Sequence, residues 1–183
     1  MGELLRRPIN EEEELGILLP KDAEELFKLV NSSRRHLSKF LPWVEGVDSP
    51  SHERAFLLDA LDRLAQGAAY HFGIWRVGEL CGSISLEIDS LNNSGELGYY
   101  LGDRYLGRGI MTRSAEAVLA FGFATLGLNR VEAFVASENI ASRRVCLRIG
   151  LEYESRSTGA LLLHGRYYDR ETYRSLASGY LRT

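Results

Sequence analysis

The chain has 183 residues, 45% of them apolar and 26% charged, with a net charge of −3; these values fit one packed core and exclude a disordered or fibrous chain and a polybasic nucleic-acid surface. Its longest uncharged apolar stretch, residues 117–128, is well short of the roughly 20 residues that cross a bilayer. Cys81 and Cys146 lack CxxC spacing, which excludes a disulfide framework and a zinc site and leaves free thiols. No cationic, apolar leader precedes the acidic run at 11–14, so a soluble, cytoplasmic protein without membrane or direct nucleic-acid contact is expected.

In chain order, Ile17-Leu18-Leu19 before Pro20 reads as a short strand, and residues 22–31 as a helix with Leu26, Leu29 and Val30 at helical spacing. Residues 51–66 read as a second helix, with Ser51 as N-cap and Ala55, Leu58, Leu61, Leu64 and Ala65 on its apolar side. From Tyr70 the composition becomes β-branched and aromatic. Residues 70–77, 81–88 and 96–101 predict three strands, joined through Gly78 and Asn92-Asn93 as an antiparallel meander. A long helix follows at 110–126, with Met111, Ala115, Val118, Leu119 and Gly122 inward and Gly127 at its end. A strand at 130–136, a helix at 141–149 stopped by Gly150, and strands at 152–156 and 166–173 complete the chain. This order predicts a single α/β domain over residues 1–183, a mixed and mostly antiparallel sheet of six or seven strands covered by helices on both faces.

Charge is uneven: residues 1–102 carry 10 basic and 17 acidic side chains, residues 103–183 carry 12 basic and 8 acidic. A net −7 half suits a cationic partner and a net +4 half a small polyphosphate. Within the basic half, Gly98 to Thr112 joins a strand to a helix through a glycine-bearing loop. The first amides of a helix lack intrahelical partners and face outward with the positive end of the macrodipole behind them, which suits a pyrophosphate. Gly107 and Gly109 let an anion approach the backbone. The loop lacks the Gly-Lys-Ser/Thr of a P-loop, and Thr112 stands where a dinucleotide fingerprint needs its third glycine.

Arg104-x-x-Gly107-x-Gly109, between strand and helix, resembles the acetyl-CoA signature of the GNAT superfamily, Q/R-x-x-G-x-G/A. The resemblance implies a GNAT fold and acetyl-CoA as acetyl donor, with no metal. It also implies that Arg104, Gly107, Arg108, Gly109, Ile110, Met111 and Thr112 form the pyrophosphate cradle. The strand ahead of them, with Tyr99, Tyr100 and Leu101, would splay at a bulge and pair with the pantetheine arm. Asn139-Ile140-Ala141-Ser142 and the helix ending at Gly150-Leu151 resemble the second GNAT cofactor segment, which assigns Asn139 and Ser142 to the cofactor; Leu151 replaces the usual Phe. Arg143 and Arg144 are open to either a solvated or a phosphate-binding role.

His36-Leu37-Ser38-Lys39-Phe40-Leu41-Pro42-Trp43-Val44, Glu96-Leu97-Gly98-Tyr99-Tyr100-Leu101 and Leu128-Asn129-Arg130-Val131 resemble the Rim group of ribosomal-protein N-terminal acetyltransferases. That likeness implies an amine acceptor, either a protein N-terminus such as that of a ribosomal protein or a small amine such as a polyamine or aminoglycoside; a non-catalytic acyl-CoA sensor and a homodimer also stay open. Trp43 and Tyr99 are the candidate acceptor-binding residues. Catalysis needs an acid for the departing thiolate, a base for the ammonium, and amides near Tyr100 and Leu101 to polarise the thioester carbonyl. Ser142 is the candidate acid by resemblance, and Cys146 takes the place of the superfamily's tyrosine seven residues after the asparagine. The Rim glutamate eleven residues past the helix-ending glycine is Leu161 here, so Glu96, with Glu87 and His164 behind it, is the candidate base.

Overall fold

The computed structural model describes residues 6–180. Eight strands form one sheet: β1 (Arg7–Pro8), β2 (Glu13–Ile17), β3 (Ala69–Arg76), β4 (Glu79–Asp89), β5 (Ser94–Leu101), β6 (Arg130–Ala136), β7 (Glu152–Leu163) and β8 (Arg166–Leu176). Their spatial order is β1-β2-β3-β4-β5-β6-β8-β7. Every neighbouring pair is antiparallel except β5–β6, which is parallel. The helices are α1 (Ala23–Ser32), α2 (Arg34–Leu37), α3 (Pro50–Ala65), α4 (Ile110–Ala120), α5 (Ile140–Arg148) and α6 (Ala177–Tyr180).

Strand alternation divides the helices between two faces. His71 of β3 meets Phe56 of α3 edge-on, whereas the next residue, Phe72, meets Phe121 just past α4. The core between sheet and helices includes Leu26 of α1, Leu57 of α3, Ile84 and Leu86 of β4, Leu119 of α4 and Val131 of β6, all fully buried. Leu26, Leu29 and Val30 lie inward as their spacing predicts, as do Met111, Ala115, Val118 and Leu119.

Five expectations need correction. The eighth strand, β1, is a dipeptide that ends in Pro8, too short for periodicity and with only one N–H to donate. The first full strand starts four residues earlier, at Glu13, and keeps only Ile17 of the Ile-Leu-Leu run, because Leu18 and Leu19 leave the sheet toward a 3-10 turn at Pro20–Asp22. Helix α3 begins at Pro50 after an extended Ser49 rather than at Ser51, since proline fits the first helical position. Its buried stripe is Glu53, Leu57 and Ala60, and Leu58 is 53% exposed. The long helix stays α-helical to Ala120 and widens into a π turn at Phe121–Thr125.

Gly82 of β4 sets how closely β5 approaches. A Cβ there would fall 2.5 Å from the Tyr100 carbonyl oxygen and 2.5 Å from Leu101 Cδ2. A backbone atom cannot rotate away, so Gly82→Ala should cost about 1–3 kcal/mol of stability through overpacking. Urea unfolding of the variant against the parent measures it.

Candidate active site

Strands β5 and β6 pair only at Ser94–Arg130, Gly95–Val131 and Glu96–Glu132. Beyond Glu96 they part, although β5 runs on to Leu101 and β6 to Ala136. The opening forms at the parallel pair and not at a bulge, because the β4–β5 register runs unbroken from Gly82–Leu101 to Asp89–Ser94. The β5 edge that faces β6 is thus free to hydrogen-bond an extended ligand as another strand would.

A cleft of about 580 Å³ fills this fork. Tyr99, Tyr100, Leu101, Gly107, Arg108, Gly109, Ile110, Met111 and Thr112 line one side, and Asn139 and Ser142 the other. Gly107 and Gly109 have φ of +75° and +73°, the left-handed region that glycine enters without strain, and α4 starts directly after them. Lys39, Arg108, Arg144 and Arg148 also line the cleft, against the single carboxylate of Glu138. These groups fit the phosphates of coenzyme A: amides and cations converge where the helix dipole is positive.

Arg104 turns elsewhere. Its Nη2 lies 2.6 Å from the Tyr105 hydroxyl and 3.3 Å from Glu79 Oε2, so it braces the start of the loop from outside the cleft. Arg143 also points away, ion-paired to Glu171 at 2.7 Å and bonded to the Tyr173 hydroxyl at 3.1 Å; of the two neighbouring arginines only Arg144 faces the cleft. Asn139 caps α5, its Oδ1 accepting from Ser142 N at 3.1 Å.

Tyr99 projects toward α5, where its hydroxyl lies 2.9 Å from Ser142 Oγ and 3.4 Å from Cys146 Sγ. That places the phenol beside the candidate acid, across the strand from Trp43. Burial raises the Tyr99 phenol well above its usual range, with Cys146 adding to the effect, so the hydroxyl keeps its proton. Burial likewise raises the fully buried Cys146 thiol, which sits behind Tyr99 and outside the cleft lining.

On the opposite sheet face the register aligns Glu87 of β4, Glu96 of β5 and Glu132 of β6 side by side at the base of the fork. Like charges directly opposed on neighbouring strands are unfavourable, and the outer two are compensated. Arg63 and His71 bind Glu87, and Arg130 binds Glu132 at 2.7 Å. Glu96 makes no hydrogen bond or ion pair among the described residues, and its pKa is raised, first by burial and then by Glu132 and Glu87, against the opposing pull of Arg170.

The same face holds Tyr100, whose ring lies 5.5 Å from that of Trp43. Trp43 sits on a turn at Pro42–Gly46 that Arg34 secures by donating to the carbonyls of Val44 and Val47. His164, in the β7–β8 turn, closes on this segment, with Nε2 2.5 Å from the Ser38 carbonyl and Nδ1 3.2 Å from Glu45. His164 is therefore a latch between two loops. Leu161, at the position of the Rim glutamate, stands on β7.

One buried carboxylate escaped the sequence reading. Glu53 is 3% exposed, and its Oε1 has no hydrogen-bond partner among the described residues. Its signal was the 53, 57, 60 stripe of α3, one step round the helix from the stripe expected.

A sheet forked between parallel strands, with a helix N-terminus at its mouth and basic side chains along it, defines a coenzyme A-dependent acyltransferase. The chain belongs to the GNAT acetyltransferase family, whose domain matches residues 17–152. It is 32% identical over 163 residues to the protein named putative ribosomal N-acetyltransferase YdaF of Bacillus subtilis (strain 168), covering 88% of this chain and 89% of that one. Identity to the ribosomal-protein-serine acetyltransferase of Escherichia coli (strain K12) is 27%, covering 90% and 93%. Among solved structures, RimL, a ribosomal L7/L12 alpha-N-protein acetyltransferase in complex with coenzyme A, superimposes with a TM-score of 0.90 at 25% identity, covering 93% of this chain and 97% of that one. The microcin C7 self-immunity acetyltransferase MccE, in complex with acetyl-CoA and AMP, gives 0.87 at 26%, covering 92% and 94%. The protein is an acetyl-CoA-dependent N-acetyltransferase. No described helix is long and apolar enough to cross a membrane.

Burial pushes Glu53 up to about 7. The unfolded carboxyl loses its proton near pH 4.5 while the folded one holds it until about 7, so stability falls as pH rises through that window. Glu53→Gln, which is neutral throughout, should therefore melt several degrees above the parent at pH 8. The gain should shrink as pH is lowered toward 5, as differential scanning fluorimetry across that range would report.

Proposed function

We propose that this enzyme acetylates the α-amine of a protein N-terminus, a ribosomal protein being the first candidate, within one domain spanning residues 1–183. The observation that carries this reading is the carboxylate row. The outer glutamates are ion-paired within the protein, whereas Glu96 at the base of the fork feels the charge of Arg170 but makes no hydrogen bond or ion pair among the described residues, which leaves its carboxylate for an incoming cation. An amine reaching the fork arrives as an ammonium and must lose a proton before it can attack. Glu96, with its raised pKa, holds that ammonium and takes its proton. Trp43 and Tyr100 wall the approach.

Backbone amides of β5 polarise the thioester carbonyl, and Ser142 delivers a proton to the departing sulfur while the Tyr99 hydroxyl, 2.9 Å away and protonated throughout, orients it by a hydrogen bond. An α-amine near pKa 8 gives up its proton far more readily than a lysine near 10.4, which suits a single carboxylate as base. The names of RimL and of the Escherichia coli serine acetyltransferase support a ribosomal-protein acceptor.

The test is a mass-spectrometric panel of N-terminal peptides, including those of ribosomal proteins, set beside polyamines and aminoglycosides. Transfer to peptide α-amines is expected; transfer to the small amines alone would replace the N-terminal acceptor by a small-molecule one. Glu96→Gln should lower kcat/KM about 100-fold and abolish the fall in rate at acid pH, where the parent's base becomes protonated. Ser142→Ala should lower kcat with little change in acetyl-CoA affinity, and an unaltered kcat would remove Ser142 as the acid.

A further inference from the structure

Arg113 stands one turn into α4 and folds its side chain back over the start of its own helix. Its Nε and Nη2 grip Glu13 of β2 at 2.8 and 2.5 Å, and Nη2 also donates to the Arg108 carbonyl at 3.0 Å. Glu13 is 3% exposed and receives a further bond from Asn10 Nδ2 at 3.2 Å. The Arg113 hydrogen bonds hold the Glu13 carboxyl below its ordinary range, so the pair stays ionised. The guanidinium crosses the space a side chain at Gly109 would fill, since a Cβ there would lie 2.6 Å from Arg113 Nη1. Arg113 does not line the cleft, and its charge is already matched by Glu13, so it is not a counter-ion for phosphate.

What it does follows from peptide geometry. In a trans peptide the carbonyl of one residue and the N–H of the next point in opposite directions. A guanidinium that draws the Arg108 carbonyl toward β2 therefore turns the Gly109 N–H the other way, into the cleft. We propose that Arg113, anchored by Glu13, is a positioning residue that presents the Gly109 amide to the pyrophosphate of acetyl-CoA. β2, outside the cleft, is thereby part of the cofactor site, and the second motif glycine has two duties: a left-handed turn and a passage for Arg113. The inference rests on the cradle at Gly107 to Thr112.

Binding of acetyl-CoA and of S-acetylpantetheine, which lacks the pyrophosphate, tests it by calorimetry in Arg113→Gln, Arg113→Lys and the pair Glu13→Gln/Arg113→Gln. The pair leaves no unmatched buried charge, so it keeps the test available if the single glutamine variant fails to fold. The Kd for acetyl-CoA should rise about 10- to 100-fold, the range for loss of one hydrogen bond to a charged group. Affinity for S-acetylpantetheine and kcat at saturating acetyl-CoA should stay within about twofold of the parent. Arg113→Lys, which keeps the charge and loses the fork, should behave as Arg113→Gln does. Unchanged acetyl-CoA affinity, an equal loss for both ligands, or parental behaviour of the lysine variant would overturn the proposal. Gly109→Trp separates this from the cradle itself: if it leaves acetyl-CoA affinity intact, the cradle is misplaced and the role of Arg113 falls with it, whereas loss in Gly109→Trp with none in Arg113→Gln removes only Arg113.

Discussion

Everything at this site depends on two parallel strands that stop hydrogen-bonding after three pairs. A parallel pair has no tight turn to hold its far ends together, so β5 and β6 can diverge while each stays fixed by its other neighbour. β4 holds β5 along its whole length, and β8 holds β6 from Arg130 to Ala136. The opening is therefore rigid on both sides, a slot cut into a sheet and not a loop waiting to order. Backbone groups that would be an edge liability elsewhere become the recognition surface for an extended ligand.

The fork also separates two electrostatic environments. On one side four basic side chains and a helix N-terminus line the cleft; on the opposite sheet face three glutamates stand aligned at the base of the fork. The uneven charge of the two chain halves matches this division only in part, since Lys39 belongs to the acidic half and Glu132 to the basic one. Tyr99 and Tyr100, adjacent on β5, point to opposite faces, one toward Ser142 and Cys146 of α5 and one toward Trp43. A one-residue slip of β5 would exchange them.

How much of this was legible depended on whether the information was local. The cradle could be read because a strand, two glycines and a helix are contiguous, and the helix at 22–31 because Leu26, Leu29 and Val30 recur at its period. The buried face of α3 was misread because apolar residues surround much of that helix, so Leu58 and Leu57 compete and only tertiary packing chooses. Arg143 and Arg104 look like phosphate ligands in one dimension; their partners Glu171 and Glu79 lie 28 and 25 residues away in sequence. The pairing of Glu13 with Arg113 joins residues 100 apart, beyond the reach of any periodicity.

The latch formed by His164 against Ser38 and Glu45 joins segments 126 residues apart in sequence. The Ser38 segment also contributes Lys39 to the cleft, whereas His164 stands outside its lining. One imidazole thus ties the turn that carries Trp43 to the β7–β8 turn, so that a shift of either is felt by the other.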